Sequence, residues 1–534
     1  MNNFGIILII FGILLALQAI ADKIKLSNTV LLVMVGVSIG FIPGLPAIEL
    51  NPDVVFLLFL PPILYDAASH TSWHDFKAEI RPISALAITL VFLTTTTVAI
   101  ACFYFIPGFT WPLAFVLGAI VSPPDAVAAT SIIKGMGLNK KVLTILEGES
   151  LVNDASALMA YRFAIAAIGT GSIVFLQAGI DFLVLLVGGI GVGLVIGFLF
   201  IILHKIIPNN SIIATSLTLL TPFVTYLTAE HIHASGVLAV VTTGLMISWR
   251  SSEIFTYETR IRNNAVWDTV IFLLNGFIFI IIGLQLPSIL DHLGGYAIND
   301  LIFYGLLVAG VTIAVRIVWV FGASYSLFKT SANRNLPDEG VNWKNMMIVA
   351  WTGTRGIVSL ATALALPLTL SSGEEFPQRS LILFLAFVVI FVTLVVQGLS
   401  LPLLIKLLRV KPHGHAEEDR DLRLLLATNV VSFIEHELSE MINEQIRLEV
   451  KRPYSEITRK LSKELRNDRQ GSRVVYPPAQ DPSLIDAKRE IHQFQRQLLI
   501  NFHKGGTFNQ SSIRRLEQEL DFEELQLNRM IRKK

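Results

Sequence analysis

Residues 122–156 read SPPDAVAATSIIKGMGLNKKVLTILEGESLVNDAS, and this stretch decides how the rest of the chain is interpreted. It contains two adjacent prolines, an Asn-Asp pair and four carboxylates. It lies between two runs, WPLAFVLGAIV and ALMAYRFAIAAI, that are apolar enough to cross a bilayer. A carboxylate at bilayer depth costs about 2.5–3.5 kcal/mol on insertion scales. Interrupted helices that carry buried acids are typical of ion transport proteins.

The composition places the whole chain in the membrane class. Of its 534 residues, 53% are hydrophobic and 16% are charged, which indicates a polytopic membrane protein. The net charge of +1 gives no indication of a nucleic-acid partner. A single cysteine, Cys102, excludes a disulfide framework and a cysteine-based metal or redox site. The sequence shows no nucleophile–base set, so we expect neither an enzyme nor a cofactor.

Charge divides the chain near Pro412. Residues 412–534 hold 21 Lys and Arg and 20 Asp and Glu, whereas residues 1–411 hold 21 of each kind in a much longer stretch. We therefore predict a transmembrane domain over 1–411 and a cytoplasmic helical tail, with a regulatory role, over 412–534.

The membrane domain contains thirteen hydrophobic segments, and we predict an all-α fold of about 13 transmembrane helices. Their approximate bounds are 4–21, 28–45, 53–70, 82–106, 111–133, 142–168, 180–207, 211–230, 234–249, 264–287, 300–328, 345–370 and 380–408.

The basic residues of the loops predict the orientation of these segments. Alternate loops carry 17 Lys and Arg, whereas the loops on the opposite side carry only Arg379. Because basic loops stay on the cytoplasmic side, the N-terminus is predicted outside and the tail inside the plasma membrane. Three basic residues remain, and they lie within spans: Arg162, Arg316 and Arg355.

Two spans are interrupted near their middles. Residues 122–124, Ser-Pro-Pro, remove two backbone donors from span five, which either opens the helix or only kinks it. In span twelve, residues 351–356 read WTGTRG and place Arg355 between two glycines. Two distant interruptions predict an inverted repeat whose broken helices cross. Arg355 can neutralise the negative helix ends that meet there, or pair with an acid.

Span six supplies most of the acids. Ser150 and Asp154 are four residues apart, so their side chains share one helix face. Asp154 lies about 20 Å into a hydrocarbon core of roughly 30 Å. Glu149 faces elsewhere, and Arg316 is its best candidate partner. Glu147, two turns nearer the cytoplasm, either lines an entrance or is solvated.

The motifs EGESLVNDA, LPPILYDAA, SPPDAVA and TRGIVSLATALALP together resemble the monovalent cation:proton antiporter family, in its sodium/proton exchanger branch. The resemblance covers the thirteen spans and implies a homodimer. It also implies roles for particular positions. These are Asp154 with Asn153 as the transport pair, Ser150 and Asp66 as further ligands, Glu149 with Arg316 as a core ion pair, and Arg355 at the span-twelve break. Asp66 lies toward the cytoplasmic end of span three, so a solvated cap is the alternative role for it.

Span five departs from the family pattern. The family has an acid directly after the hydroxyl residue, whereas here Ser122 precedes Pro123 and the acid is Asp125. We expect Ser122 to contribute its hydroxyl or carbonyl oxygen to a cation, and Asp125 to support the crossing.

The expected function is exchange of a monovalent cation for a proton by competition at Asp154. Na⁺ is the first choice of cation, with Li⁺ or K⁺ possible, and one ionisable group in the Asn-Asp pair fits an electroneutral 1:1 ratio. A sodium-coupled solute symporter and a cation channel remain alternatives, because both also need oxygens at mid-membrane.

Overall fold

The computed structural model describes most of the chain. The described residues are 10–17, 19, 28–42, 52–125, 140–170, 175–207, 210–330, 343–370, 373–409, 415–464, 482–505, 508 and 510–532. Within these residues the protein is all-α, and the only β pairing is an isolated bridge between Thr369 and Glu375. The predicted fold class is confirmed.

The membrane part consists of successive helices along the chain. They are α1 Asn28–Gly40, α2 Pro52–His70, α3 Trp73–Ala78, α4 Ile80–Phe105, α5 Trp111–Val121, α6 Lys140–Thr170, α7 Phe175–Ile206, α8 Ser211–His231, α9 Gly236–Ile254, α10 Tyr257–Asp291, α11 Ile298–Thr330, α12 Trp343–Trp351, α13 Ile357–Leu364 and α14 Arg379–Leu408. In the described part of the chain, seven helices are long and apolar enough to cross a bilayer: α4, α6, α7, α8, α10, α11 and α14. The number thirteen stays a prediction.

Both interruptions are present in the backbone. Helix α5 ends at Val121, where Pro123 and Pro124 follow and cannot donate to the preceding turn. The inner half of span five, residues 126–133, lies outside the described residues. Span twelve is divided into α12 and α13 by five residues without regular secondary structure, 352–356.

The chain divides into two compact units. The larger comprises Met1–Ile206, Ser216–Trp249 and Val266–Pro412. The smaller comprises Ile207–Thr215, Arg250–Ala265 and His413–Lys534, so the start of α8, the end of α9 and the start of α10 group with the tail.

The tail is a helical bundle with its own apolar core. Its helices are α15 His415–His436, α16 Glu444–Glu464, α17 Pro482–Gly505 and α18 Gln510–Arg532. Val430, Val450 and Ile491 pack in one buried cluster, and Leu422, Leu499 and Leu516 pack in another. Burial of these faces makes the tail a folded domain, because amphipathic helices gain most of their stability from packing.

Helices α1 and α10 cross at a glycine contact. A Cβ atom on Gly36 would lie 2.5 Å from the carbonyl oxygen of Ile280, and one on Gly283 would lie 2.4 Å from the backbone nitrogen of Val37. Small residues allow close backbone approach, which is a main source of helix association in membranes.

Replacing Gly36 or Gly283 by valine should therefore force the two helices apart. We expect a loss of folded protein, because overpacking costs about 1–3 kcal/mol or more in a rigid contact. The measurement is the yield and melting temperature of the protein after purification in detergent. Gly310→Val is the matched control, since nothing lies within 4 Å of a Cβ atom at Gly310. Equal yields of all three variants would contradict the glycine contact.

Candidate functional site

The two interrupted segments cross and pair through their backbones. The backbone N–H of Asp125 donates to the carbonyl oxygen of Thr354 at 2.6 Å, and the Thr354 hydroxyl donates to the carbonyl oxygen of Asp125 at 3.1 Å. In the bilayer, backbone groups freed by a broken helix need such partners. The crossing therefore satisfies each break with groups from the other.

Arg355 neutralises the helix end at this crossing. Its side chain is 1% exposed, and its Nε donates to the carbonyl oxygen of Val121 at 2.8 Å. Its two terminal nitrogens donate to the carbonyl oxygens of Gly353 and, at 3.5 Å, Ser122. Carbonyls at a helix C-terminus carry partial negative charge, which a guanidinium offsets. The guanidinium of Arg355 is therefore held by carbonyl oxygens at the C-terminal ends of α5 and α12.

A π-helical turn in α14 receives the backbone of Arg355. The turn spans Thr393–Gly398, and the hydroxyl of Thr393 accepts the Arg355 backbone N–H at 3.1 Å. Single π turns often mark functional positions, because they present groups that a regular helix would not.

The crossing leaves no room for side chains at the two glycines of WTGTRG. A Cβ atom on Gly356 would lie 2.4 Å from Cβ of Asp125 and closer still to its carboxylate. One on Gly353 would lie 2.6 Å from Cδ of Arg316. The glycines thus allow an acid and an arginine to approach the unwound backbone.

Glu149 and Arg316 form a bidentate pair in the interior. The two terminal nitrogens of Arg316 donate to the two carboxylate oxygens of Glu149 at 2.5 and 2.9 Å, and both side chains are at most 2% exposed. The Nε of Arg316 also donates to the carbonyl oxygen of Val349 at 3.2 Å. The pair therefore joins α6, α11 and α12.

The side chains of Asn153 and Ser122 donate hydrogen bonds to backbone carbonyl oxygens near the break in span five. The side-chain amide of Asn153 donates to the carbonyl oxygen of Pro124 at 2.8 Å, and the Ser122 hydroxyl donates to the carbonyl oxygen of Ala119 at 3.0 Å. Neither residue is among those that line the cavity described next. The structure therefore does not bring Ser122 or Asn153 to the cavity with the other predicted ligands.

A cavity of about 280 Å³ opens beside the crossing. Its lining includes Asp154, Ser150 and Asp66, which the sequence placed in one site, together with Asp125. Its other polar residues are His70, Thr71, Glu147, Asp268, Asn275 and Ser359. The imidazole Nδ1 of His70 lies 3.4 Å from the Asp66 carboxylate. Carboxylate, hydroxyl and amide oxygens are the ligands that hard cations prefer.

The sequence reasoning missed Asp268, Asn275 and Ser359. Asp268 and Asn275 lie on α10, which carries none of the motifs that directed attention to other spans. Their separation of seven residues, two helical turns, was the available signal that they share a face. Ser359 lies in the first turn of α13, and its hydroxyl reaches the carbonyl oxygen of Pro123 at 3.4 Å.

The fold and the site define a class: polytopic membrane transporters with crossed, broken helices beside an acidic cavity. The chain belongs to the sodium/hydrogen exchanger family, because residues 6–407 match the family described as "Sodium/hydrogen exchanger, transmembrane". The family resemblance of the motifs is thereby confirmed.

Relatives and solved structures agree with this assignment. An uncharacterised Na⁺/H⁺ exchanger of Mycobacterium tuberculosis is 34% identical over 424 residues, which are 78% of this chain and 77% of that one. A sodium, potassium, lithium and rubidium/H⁺ antiporter of Bacillus subtilis is 33% identical over 416 residues, 76% of this chain and 62% of that one. The structure of the sodium proton antiporter MjNhaP1 of Methanocaldococcus jannaschii at pH 8 aligns with a TM-score of 0.60. It is 21% identical and covers 76% of this chain and 98% of that one, which shows a shared fold.

Removing one charge of the buried pair should lower the stability of the protein. We expect Glu149→Gln and Arg316→Met each to reduce the yield of folded protein, because an uncompensated buried charge costs about 3–5 kcal/mol. The measurement is the monodisperse fraction after solubilisation together with the melting temperature.

Arg452→Gln is the control for this experiment. Arg452 pairs with Glu456 on α16 at 3.2 Å, but its side chain is 81% exposed, so its removal should change stability by at most about 1 kcal/mol. If the Glu149 and Arg316 variants melt like this control, the pair has no structural role.

Proposed function

We propose that the protein is a secondary antiporter that exchanges a monovalent cation for a proton across the membrane. The observation that carries the proposal is the shared cavity, in which Asp154, Ser150 and Asp66 face one space beside two broken helices. Membership of the sodium/hydrogen exchanger family supports it.

Asp154 is the proposed exchange site. A carboxylate binds either a proton or a cation, since each removes the charge that attracts the other. Competition at one group, combined with alternating access, gives exchange without a separate coupling device. The neighbouring Asn153 cannot ionise, and its amide is committed to the carbonyl oxygen of Pro124. One ionisable group in the pair fits an electroneutral 1:1 ratio.

The cavity favours a small cation over an organic solute. Sites for drug-sized ligands usually occupy about 300–1,000 Å³. This cavity measures about 280 Å³ and presents four aspartates, Asp66, Asp125, Asp154 and Asp268. We propose Na⁺ as the main cation, with Li⁺ and K⁺ as further substrates. The Bacillus subtilis relative is named for sodium, potassium, lithium and rubidium.

The proposed orientation has the N-terminus outside the cell membrane and the tail in the cytoplasm. Grouping of residues 250–265 with the tail supports it, because Arg250, Arg260 and Arg262 make this segment one of the basic loops. A homodimer is part of the same proposal and rests on the family.

Asp154→Asn should abolish exchange in everted membrane vesicles. Adding Na⁺ or K⁺ to vesicles with an imposed pH gradient should dissipate the gradient with the parent protein and leave it intact with this variant. The control is Asp300→Asn, which removes an exposed carboxylate at the start of α11 and should retain parental rates. Gradient dissipation by Asp154→Asn would show that the exchange site lies elsewhere.

We further propose that the tail regulates exchange by holding the first turns of α10. The guanidinium of Arg260, at the start of α10, donates two hydrogen bonds to the carboxylate of Asp521 on α18. Arg496 of α17 donates to the same carboxylate at 2.8 Å, and Asp521 is 2% exposed. A further bond joins the Asn528 amide to the hydroxyl of Tyr257 at 3.0 Å.

Helix α10 connects these contacts with the cavity. The helix is continuous over Tyr257–Asp291, and Asp268 and Asn275 of this helix line the cavity. Two other contacts hold the preceding residues: Ser252 donates to Glu517 at 2.7 Å, and Lys504 pairs with Glu253 at 2.7 Å. Helix α10 thus carries both residues that the tail contacts and residues that line the cavity.

Asp521→Ala should release this restraint and raise the exchange rate at a fixed cytoplasmic pH. We expect about a fivefold change, the lower end of typical coupling between sites. The measurement is the initial rate in everted vesicles, normalised to the amount of protein. Asp486→Ala is the control, because Asp486 is 73% exposed and its ion pair with Arg489, at 3.6 Å, lies within α17. Equal rates for the two variants would contradict a regulatory role of this contact.

A further inference from the structure

We propose that Asn275 is a specificity-determining residue that supplies a neutral oxygen ligand to the transported cation. The inference rests on the proposed antiport function and deepens it, because it assigns a ligand on a helix that carries none of the recognised motifs.

The first observation is the face that α10 presents to the cavity. Three residues of this helix line it: Asp268, Ile271 and Asn275. Their spacing of three and four residues places them on one stripe of the helix. Asp268 is exposed and lies about 10 Å nearer the cytoplasmic start of α10, at 1.5 Å of rise per residue. Asn275 is therefore the inner polar group on this stripe.

The second observation is an unsatisfied oxygen. The side-chain oxygen of Asn275 is buried and has no hydrogen-bond partner among the described residues. A buried carbonyl oxygen without a partner is unfavourable, and native structures usually give it a ligand, a water or a bond. A partly dehydrated cation in the cavity is such a partner, and rotation about the last side-chain bond directs the oxygen to it.

Asn153 also has a buried amide, but its surroundings differ from those of Asn275. Its side-chain oxygen is also buried without a partner, but its nitrogen is held by the carbonyl oxygen of Pro124. That bond fixes the amide at the break, and Asn153 does not line the cavity. Asn275 lines the cavity, and among the described residues its amide has no such bond to its oxygen, so rotation of the amide brings that oxygen to the ion.

A neutral oxygen has a distinct role beside carboxylates. Asp154 and Asp66 attract protons as well as cations, whereas an amide oxygen does not protonate at physiological pH. Asn275 therefore adds to the coordination of the cation without adding to the number of protons exchanged. The number and strength of such neutral oxygens also determine how an ion site distinguishes Na⁺ from K⁺.

The test compares three variants in everted vesicles: Asn275→Leu, which removes the oxygen at similar volume, Asn275→Gln, which keeps an amide, and the control Asn264→Leu. Asn264 lies on the same helix outside the cavity lining, so the control repeats the exchange of side chains without touching the site. The KM and maximal rate are measured for Na⁺, Li⁺ and K⁺ across pH. A second readout is the rise in melting temperature of the purified protein when each cation is added.

The proposal predicts a split between cation affinity and maximal rate. Asn275→Leu should raise the KM of the preferred cation about tenfold, the effect of one lost polar contact, and change the ratio of the three KM values. Its maximal rate should stay within twofold of the parent, and cations should stabilise it less against heat. Asn275→Gln should lie between the parent and the leucine variant, and Asn264→Leu should behave like the parent.

Two results would overturn the proposal. One is unchanged KM values and ratios in Asn275→Leu, and the other is a reduced maximal rate with unchanged KM values, which indicates packing alone. If Asn275→Leu does not fold, Asn275→Ser, which retains an oxygen at a greater distance, must show the shifted KM ratio, and parental ratios in it would overturn the proposal. Failure of the antiport function itself is distinguishable, since the parent protein would then exchange no cation.

Discussion

The satisfaction of backbone groups at the crossing is the constraint on which the site depends. Breaking two helices at bilayer depth frees carbonyl and N–H groups that lipid cannot bind. Arg355 binds the carbonyl oxygens of Val121, Ser122 and Gly353, and Asn153 binds that of Pro124. These hydrogen bonds take the place of those that each helix loses at its break. The cavity lies beside the breaks, and Pro123, Pro124 and Gly356 are among its lining residues.

The acidic residues near the crossing differ in whether a cationic side chain binds them. Glu149 is bound on both oxygens by Arg316, which also reaches the backbone of α12, so this acid is part of the scaffold. Asp154 is only five residues away on the same helix, yet it lines the cavity. This separation follows from helical geometry, since five residues turn the side chain to another face. In our proposal the scaffold acid stays paired while the cavity acid is left to bind a proton or a cation.

Helical geometry and helix-breaking residues allowed much of this arrangement to be predicted. Prolines and glycines indicated both breaks, and the four-residue spacing of Ser150 and Asp154 placed them on one face. The sequence could not show the direction of the Ser122 hydroxyl, which donates within its own helix to Ala119. Nor could it show that Asp125 would line the cavity, because that depends on its close approach to Gly356. Asp521 and Arg260 are 261 positions apart in the chain, and no local sequence pattern predicts a contact over that distance.

The most direct test of competition at Asp154 is the release of protons when a cation binds. Purified protein in weakly buffered detergent solution, at a pH where the site is protonated, is mixed with Na⁺ while a pH indicator and bound Na⁺ are measured together. The account predicts one proton released for each Na⁺ bound, and neither event in Asp154→Asn. Binding of Na⁺ to the parent protein without release of a proton would contradict it.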